Sequence, residues 1–241
     1  LDAVEKLAAP MASDPALKLS GSFDEMVARR VAFLTAYQNA AYAARYRGWV
    51  DKARAAEATL APAACGLAEA VGRYLFKLMA YKDEYEVARL YSEESFAQQV
   101  KNTFDGENLR LRVHLSPPLL APTDKAGRPR KITFGPWIFG LFRLLAGLKG
   151  LRGTAFDVFG YTRERKTERA LIADYEAMLD EILSRLTPDN HAIAVGLAAI
   201  PEKIRGYGHI KMRHLAAAKA DEAALLEQFR AGPAPLLKAA E

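Results

Sequence analysis

The apolar residues of this 241-residue chain recur at intervals of three and four almost throughout, and one short run departs from that period. The departure is Leu109-Arg110-Leu111-Arg112-Val113-His114-Leu115, where apolar and polar residues alternate strictly. A period near 3.6 places apolar side chains on one face of a helix, and a period of two places them on one face of a strand. The chain is therefore confined to a mainly α class, a helical domain with long buried helices and a small β-hairpin excursion. With 51% hydrophobic residues it has the material for a substantial core, which a disordered chain lacks.

Ser22 followed by Glu25 has the form of a capping box and opens a helical pattern expected to run to about Val50. Val27, Val31, Leu34, Ala41 and Arg45 approximate one face of that helix. Met26, Phe33, Tyr37, Ala40 and Ala44 stand on the other, so the helix is expected to be buried on most sides. A second long helix is expected from about Gly66 to Tyr91, and a shorter one from Ser92 to Phe104. Lys131-Ile132-Thr133-Phe134 is the natural partner of the alternating run, across the polar turn 123–127. Gly135-Pro136 then opens an apolar helix through Trp137, Phe139, Phe142, Leu145 and Leu148. Leu171, Tyr175, Met178, Leu179, Ile182 and Leu183 mark an amphipathic helix ending near Leu186. Another is expected after Asn190 as far as Ile200, then a turn at Gly206-Tyr207-Gly208 and a last helix to about Arg230. Residues 1–21, rich in Ala and Pro, read as a linker or the tail of an upstream domain. Residues 231–241 read as a C-terminal tail, leaving 22–230 as one helical domain.

The net charge of +5 is unevenly placed. Between Leu109 and Gly153 there are nine basic residues and one acid, Asp124, while the remainder of the chain is mildly acidic. The densest part is Arg128-Pro129-Arg130-Lys131, at the expected tip of the hairpin. A solvated tip, an acidic protein partner, an anionic membrane surface and nucleic acid are all compatible with it. The last would call for interleaved aromatics or a reading helix, neither of which is evident, so no nucleic acid is expected. No apolar run long enough to span a bilayer is free of charge, Arg143 and Lys149 interrupting the nearest candidate.

Familiar catalytic signatures are missing. There is no Gly-x-Gly-x-x-Gly after a strand, no phosphate-binding loop, no Gly-x-Ser-x-Gly and no His-Glu-x-x-His. Asp105-Gly106-Glu107-Asn108 lacks the alternating carboxylates of a calcium loop and reads as a turn. The single cysteine, Cys65, excludes an intrachain disulfide, a cysteine zinc site and a self-contained iron–sulfur cluster, and its neighbours suit a buried inert thiol. His114 lies in the strand and His191 at a helix start. His209 and His214 are five apart, which does not place them on one helical face.

Two features remain. The tyrosines Tyr37, Tyr42, Tyr46, Tyr74, Tyr81 and Tyr85 stand at helical spacing, as core residues with satisfied hydroxyls do. The block Lys82, Asp83, Glu84, Glu86 and Arg89 interrupts an apolar helix. It is either a solvated helix end or a buried ion network joined to Arg30 or Arg45 of the first helix.

Several strings carry a resemblance. They are Arg30–Ala43 (RVAFLTAYQNAAYA), Leu78–Tyr91 (LMAYKDEYEVARLY), Leu115–Leu120 (LSPPLL), Phe134–Trp137 (FGPW), Leu151–Asp157 (LRGTAFD), Arg169–Glu176 (RALIADYE) and Ile204–Gly208 (IRGYG). In order and spacing they resemble the C-terminal region of the fused indolepyruvate ferredoxin oxidoreductases over about residues 22–230. The resemblance implies a cytoplasmic, homo-oligomeric parent enzyme. That parent decarboxylates an aryl pyruvate on thiamine diphosphate and Mg, forms the acyl-CoA, and passes electrons through iron–sulfur clusters to ferredoxin. The Gly-Asp-Gly…Asn-Asn diphosphate signature and the cluster cysteines are missing here. The segment itself is therefore expected to hold no cofactor and no catalytic residue, and to act as an accessory domain. Its expected partners are the upstream catalytic domains of the same polypeptide, and the Tyr-rich first helix and the Lys82–Arg89 block are expected to pack against those domains or across a dimer. Arg128, Arg130 and Lys131 are the candidates for docking acidic ferredoxin or approaching the CoA phosphates.

Overall fold

The computed structural model describes residues 21–60, 66–104, 111–116, 130–206 and 208–232. Cys65, Arg128, the turns expected at 105–108 and 123–127, both terminal segments and the side chain of His209 lie outside the described residues. The chain is mainly α, and its described residues include a two-stranded antiparallel hairpin, as the periodicity predicts. It divides into two compact units, one made of residues 1–43 and 81–169, the other of 44–80 and 170–241.

The first unit begins with α1 (Phe23–Tyr37). Ser22 caps it by accepting a hydrogen bond from the Glu25 N–H, and the Glu25 carboxylate accepts from the Gly21 N–H. The helix expected to reach Val50 in one piece stops at Gln38. Asn39 caps a new helix, α2 (Ala40–Leu60), its side-chain oxygen accepting from the Tyr42 N–H at 2.9 Å. The break resets the helical phase. Ala41 and Arg45, placed on the buried face by straight extrapolation, are exposed, and Ala43 and Tyr46 are buried instead.

The second long helix is also two. α3 (Gly66–Met79) belongs to the other unit, and α4 (Glu84–Ser92) starts afresh with Asp83 as its cap, accepting from the Glu86 N–H at 2.8 Å. α5 (Glu94–Thr103) follows. In the hairpin β1 (Val113–Leu115) pairs with β2 (Ile132–Phe134), His114 opposite Thr133. The hairpin is shorter than the alternation suggested, since Leu111 and Arg112 lie outside it. α6 (Ile138–Gly147) packs against α4, and Ala88, Val113, Ile138 and Phe142 form the centre of this small core. Tyr91, Phe96, Phe139 and Phe142 close it with ring contacts of 5.0–6.3 Å between centroids.

In the second unit α2 buries Tyr46, Val50, Ala53 and Glu57 along one face. Its other members are α3, the part of α7 (Arg163–Ser184) beyond Arg169, α8 (His191–Ala199), and α9 (Gly208–Ala231). α8 packs on both α3 and α9. Leu67, Leu75, Met79, Leu179, Ile182 and Leu197 are completely buried. The turn expected near Gly206 holds a φ of +89°, a conformation that L side chains rarely adopt.

Candidate functional site

The charged block that interrupts the helical pattern becomes the centre of the first unit. Because Asp83 must cap α4, its carboxylate is held at a fixed place, and Arg152 reaches it from the turn after a short 3₁₀ segment, Lys149–Leu151. Arg152 Nε donates to Asp83 Oδ2 at 2.5 Å and Nη2 donates to Oδ1 at 2.8 Å. Nη1 donates to the Tyr37 carbonyl at 2.6 Å, one of the carbonyls left unpaired where α1 ends. The guanidinium also lies over the Tyr37 ring, 3.7 Å from its centroid. Lys149 donates to the neighbouring Ala36 carbonyl at 2.5 Å, so two cations meet the negative end of the α1 dipole. The side chains of Arg152 and Asp83 are 2% and 3% exposed. At such burial only a bidentate, charge-assisted pair offsets the loss of water.

A second layer is organised by Asp157. Its Oδ1 accepts from the Gly160 N–H at 2.9 Å and from the Tyr85 hydroxyl at 3.3 Å, and Oδ2 accepts from the Gly153 N–H at 2.8 Å. Gly153 has φ +77°, which lets the chain turn sharply after Arg152. Arg169 braces the loop by donating to the Gly160 carbonyl at 2.6 Å. Tyr37 donates its hydroxyl to the Tyr81 carbonyl at 2.8 Å, and Arg165 stands 3.6 Å from Glu84 and over the Tyr81 ring. Arg89 forks onto both oxygens of Glu86 at 2.7 and 2.8 Å and also bonds Glu93.

Burial sets the electrostatics. It pushes the Tyr81 and Tyr85 hydroxyls up to about 12 and Tyr37 well above the ordinary phenol value, with Asp83 or Asp157 adding to the effect. Burial also raises the Glu84 and Glu86 carboxyls, against the attraction of Arg165 and Arg89 respectively. For Arg152, burial is the largest single effect and works against the charged form, but the bond to Asp83 together with the attraction of Asp83, Tyr37 and Tyr81 outweighs it, so its proton is held more firmly than usual. The phenols therefore stay protonated near neutral pH, and each carboxylate oxygen of Asp83 and Asp157 accepts from a donor within the unit. This arrangement locks geometry.

Of the residues expected in an ion network, Asp83, Glu84, Glu86 and Arg89 belong to it. Lys82 precedes the cap and is exposed. Arg45 is corrected: it pairs with Glu176 on the surface of the second unit, at 2.5 Å, because the break at Asn39 turned it away. Arg30 is half-buried on α1, and Asp83 of the block is held by Arg152. Arg152, Asp157, Arg165 and Arg169 escaped the sequence reading. Arg152 had been counted among the cations of the basic segment, whereas it is buried. Arg130, Lys131 and Arg143 of that segment are exposed. The one available signal was Arg152-Gly153 in an apolar setting, where an arginine without a solvent exit needs a partner.

In the second unit, Glu57 is 1% exposed and accepts the N–H groups of Leu67 and Ala68 at 2.8 and 3.0 Å, capping α3 from outside it. His191 Nε2 lies 2.6 Å from the same carboxylate. A cleft of ≈ 430 Å³ is lined by Gly196, Ala199, Ile200, Glu202, Lys203, Arg205 and Leu225. Its cations are paired, Lys203 with Asp221 and Arg205 with Glu202. His114 sits exposed beside Thr133, and His214 bonds the Arg205 carbonyl.

Among the described residues no three His, Cys, Asp or Glu side chains stand close enough to hold a metal ion. No helix among them is long and apolar enough to cross a membrane. Among the described residues, the buried carboxylates Asp83, Asp157 and Glu57 are bound to guanidinium and backbone donors.

A family model described as a family of unknown function, DUF6537, matches residues 23–224. No curated protein and no solved structure matches the chain.

Proposed function

We propose, for a chain that belongs to the DUF6537 family, a role as the helical accessory domain of a fused indolepyruvate ferredoxin oxidoreductase. The parent would oxidise an aryl pyruvate to the acyl-CoA with electrons passing to ferredoxin. Its thiamine diphosphate, Mg and clusters would be held by other parts of the polypeptide. The domain contributes no reacting group and holds geometry. One observation carries this reading. The strings that resemble that enzyme family supply Tyr37, Tyr81, Asp83, Tyr85, Arg152, Asp157 and Arg169, and these residues meet in one buried network. What the strings share with the family is then a packing device.

The test is indolepyruvate- and CoA-dependent reduction of viologen dye and of ferredoxin by the full-length parent, with and without residues 22–241. The expected result is turnover in the intact chain and loss of assembly or cofactor retention in the truncated one. Absence of 2-oxoacid-dependent reduction by an intact, cofactor-loaded parent removes the reading.

Arg130 and Lys131 are exposed next to the hairpin, which favours a second role for that edge in docking acidic ferredoxin or approaching the CoA phosphates. Reversing both charges would then weaken ferredoxin reduction and its salt dependence and leave dye reduction unchanged. A stand-alone module for nucleic acid or an anionic membrane would instead show salt-sensitive binding to DNA or anionic vesicles.

A further inference from the structure

The cleft between α8 and α9 has an aliphatic floor and a cationic edge. Gly196, Ala199, Ile200 and Leu225 form the floor, and Glu202, Lys203 and Arg205 form the edge, around a volume of ≈ 430 Å³ that suits a small molecule. The edge is held in place from α3. Glu202 lies in a short 3₁₀ segment, Ile200–Lys203, that follows α8. Lys77 donates to the Pro201 and Glu202 carbonyls at 2.7 and 3.2 Å, and the Tyr74 hydroxyl donates to Glu202 Oε2 at 2.9 Å. Arg205 is fixed in turn on Glu202, Nε donating to its carbonyl at 3.1 Å and Nη2 to Oε1 at 3.2 Å. Its Nη1 has no bonded partner among the described residues. A guanidinium already held by two bonds loses little freedom on making a third.

Charge at the edge selects the occupant. Lys77, Lys203 and Arg205 share it with two carboxylates, Glu202 and Asp221. Burial first, then Arg205 and Lys211, pull the Lys77 ammonium below its ordinary value against the attraction of Glu202, as crowded cations do. The side chains of Arg205 and Glu202 are 69% and 54% exposed, and those of Lys203 and Asp221 55% and 48%. Ion pairs so exposed contribute little, and an incoming anion displaces them readily. We propose that this cleft binds a small aliphatic monocarboxylate, its hydrocarbon chain on the floor and its carboxylate on Arg205 and Lys203. Among the described residues no aromatic ring lines the cleft, so a hydrocarbon chain suits it better than a ring that seeks a stacking partner. Glu202 at the same edge repels a doubly charged phosphate more than a single carboxylate. The site lies within the second unit and is independent of the accessory-domain reading.

The test titrates the full-length polypeptide with octanoate by isothermal titration calorimetry, with octanamide and octyl phosphate as comparison probes. The expected result is saturable one-to-one binding of octanoate, with both comparison probes bound more weakly. Arg205→Gln lowers the octanoate affinity about tenfold, the change that corresponds to losing one charge-assisted hydrogen bond. It keeps the thermal unfolding of the unaltered chain, because Arg205 is exposed. Ala199→Leu fills the floor and weakens octanoate too. Arg163→Gln removes an equal charge from an exposed position in the first unit and leaves the affinity unchanged. A short peptide ending in Ala-Leu offers the same carboxylate from a protein terminus and binds less tightly, since its amide would lie on the aliphatic floor. No saturation by octanoate, equal affinity for octanamide, or tighter binding of octyl phosphate or of the peptide would each overturn the proposal. So would octanoate binding indifferent to Arg205→Gln.

Discussion

Arg152 grips both carboxylate oxygens of Asp83 from 69 residues farther along the chain, with its guanidinium 3.7 Å from the centre of the Tyr37 ring. One side chain thus ties the cap of α4 to the end of α1. Arg152→Ala leaves Asp83 buried without its counter-charge and is expected to cost about 3–5 kcal/mol, read from the urea midpoint. Arg152→Lys recovers only part of this, since an ammonium neither forks nor stacks. Asp83→Asn combined with Arg152→Met should cost less than the two changes added together, because the pair acts as a unit and Asn still caps the helix.

Glu57 does for α3 what Asp83 does for α4, from another helix. Glu57→Ala leaves two buried backbone N–H groups without an acceptor, and a loss of about 2–4 kcal/mol is expected. His191→Ala should cost less, because Glu57 keeps both backbone donors. Thermal unfolding of the two variants checks the order, and equal losses would show that the imidazole contact, not the cap, holds this corner.

Gly160 stands against the Asp157 carboxylate so closely that a methyl group would lie 2.4 Å from Oδ2. That carboxylate is pinned by Gly153, Gly160 and Tyr85 and cannot swing aside without losing them. Gly160→Ala is therefore expected to destabilise the first unit by about 1–3 kcal/mol. Gly150→Ala, where nothing stands within 4 Å, serves as the control and should be near neutral. Parallel urea titrations distinguish the two.

The raised phenols predict an alkaline limit. Tyr81 and Tyr85 ionise at about 12 in the folded chain against 10.0 when unperturbed. A group whose folded value is the higher one contributes stability that is fully present below 10 and is lost as pH rises through 12. Stability should therefore fall between pH 10 and 12, and part of the tyrosinate absorbance at 295 nm should appear only above pH 10. Tyr81→Phe should make the fall shallower. A single tyrosinate transition near 10 with the fold intact would contradict this.

The helical class, the hairpin partners and the cap at Ser22 were legible because each depends on residues within a few positions of one another. The same local reading passed over Asn39 and Asp83 and joined four helices into two. Both are good caps set inside an unbroken apolar period, and nothing nearby distinguishes a capping Asn or Asp from one pointing to water. The ion block was recognised as a candidate from its charges, but Arg30 and Arg45 were offered as partners because they lay on the first helix. The break at Asn39 turned Arg45 toward Glu176, and the cation that holds Asp83 came from the far end of the basic segment.

The sequence by itself determined what short-range sterics and amphipathic period control: which stretches coil, which pair as strands, and where charge accumulates. Only the tertiary structure decided which charges leave water. Burying Arg152 or Asp83 alone would cost several kcal/mol, and the two become tolerable together when the fold brings residues 69 apart within 2.5 Å. That condition is met by a distance in space, which no local pattern of residues encodes.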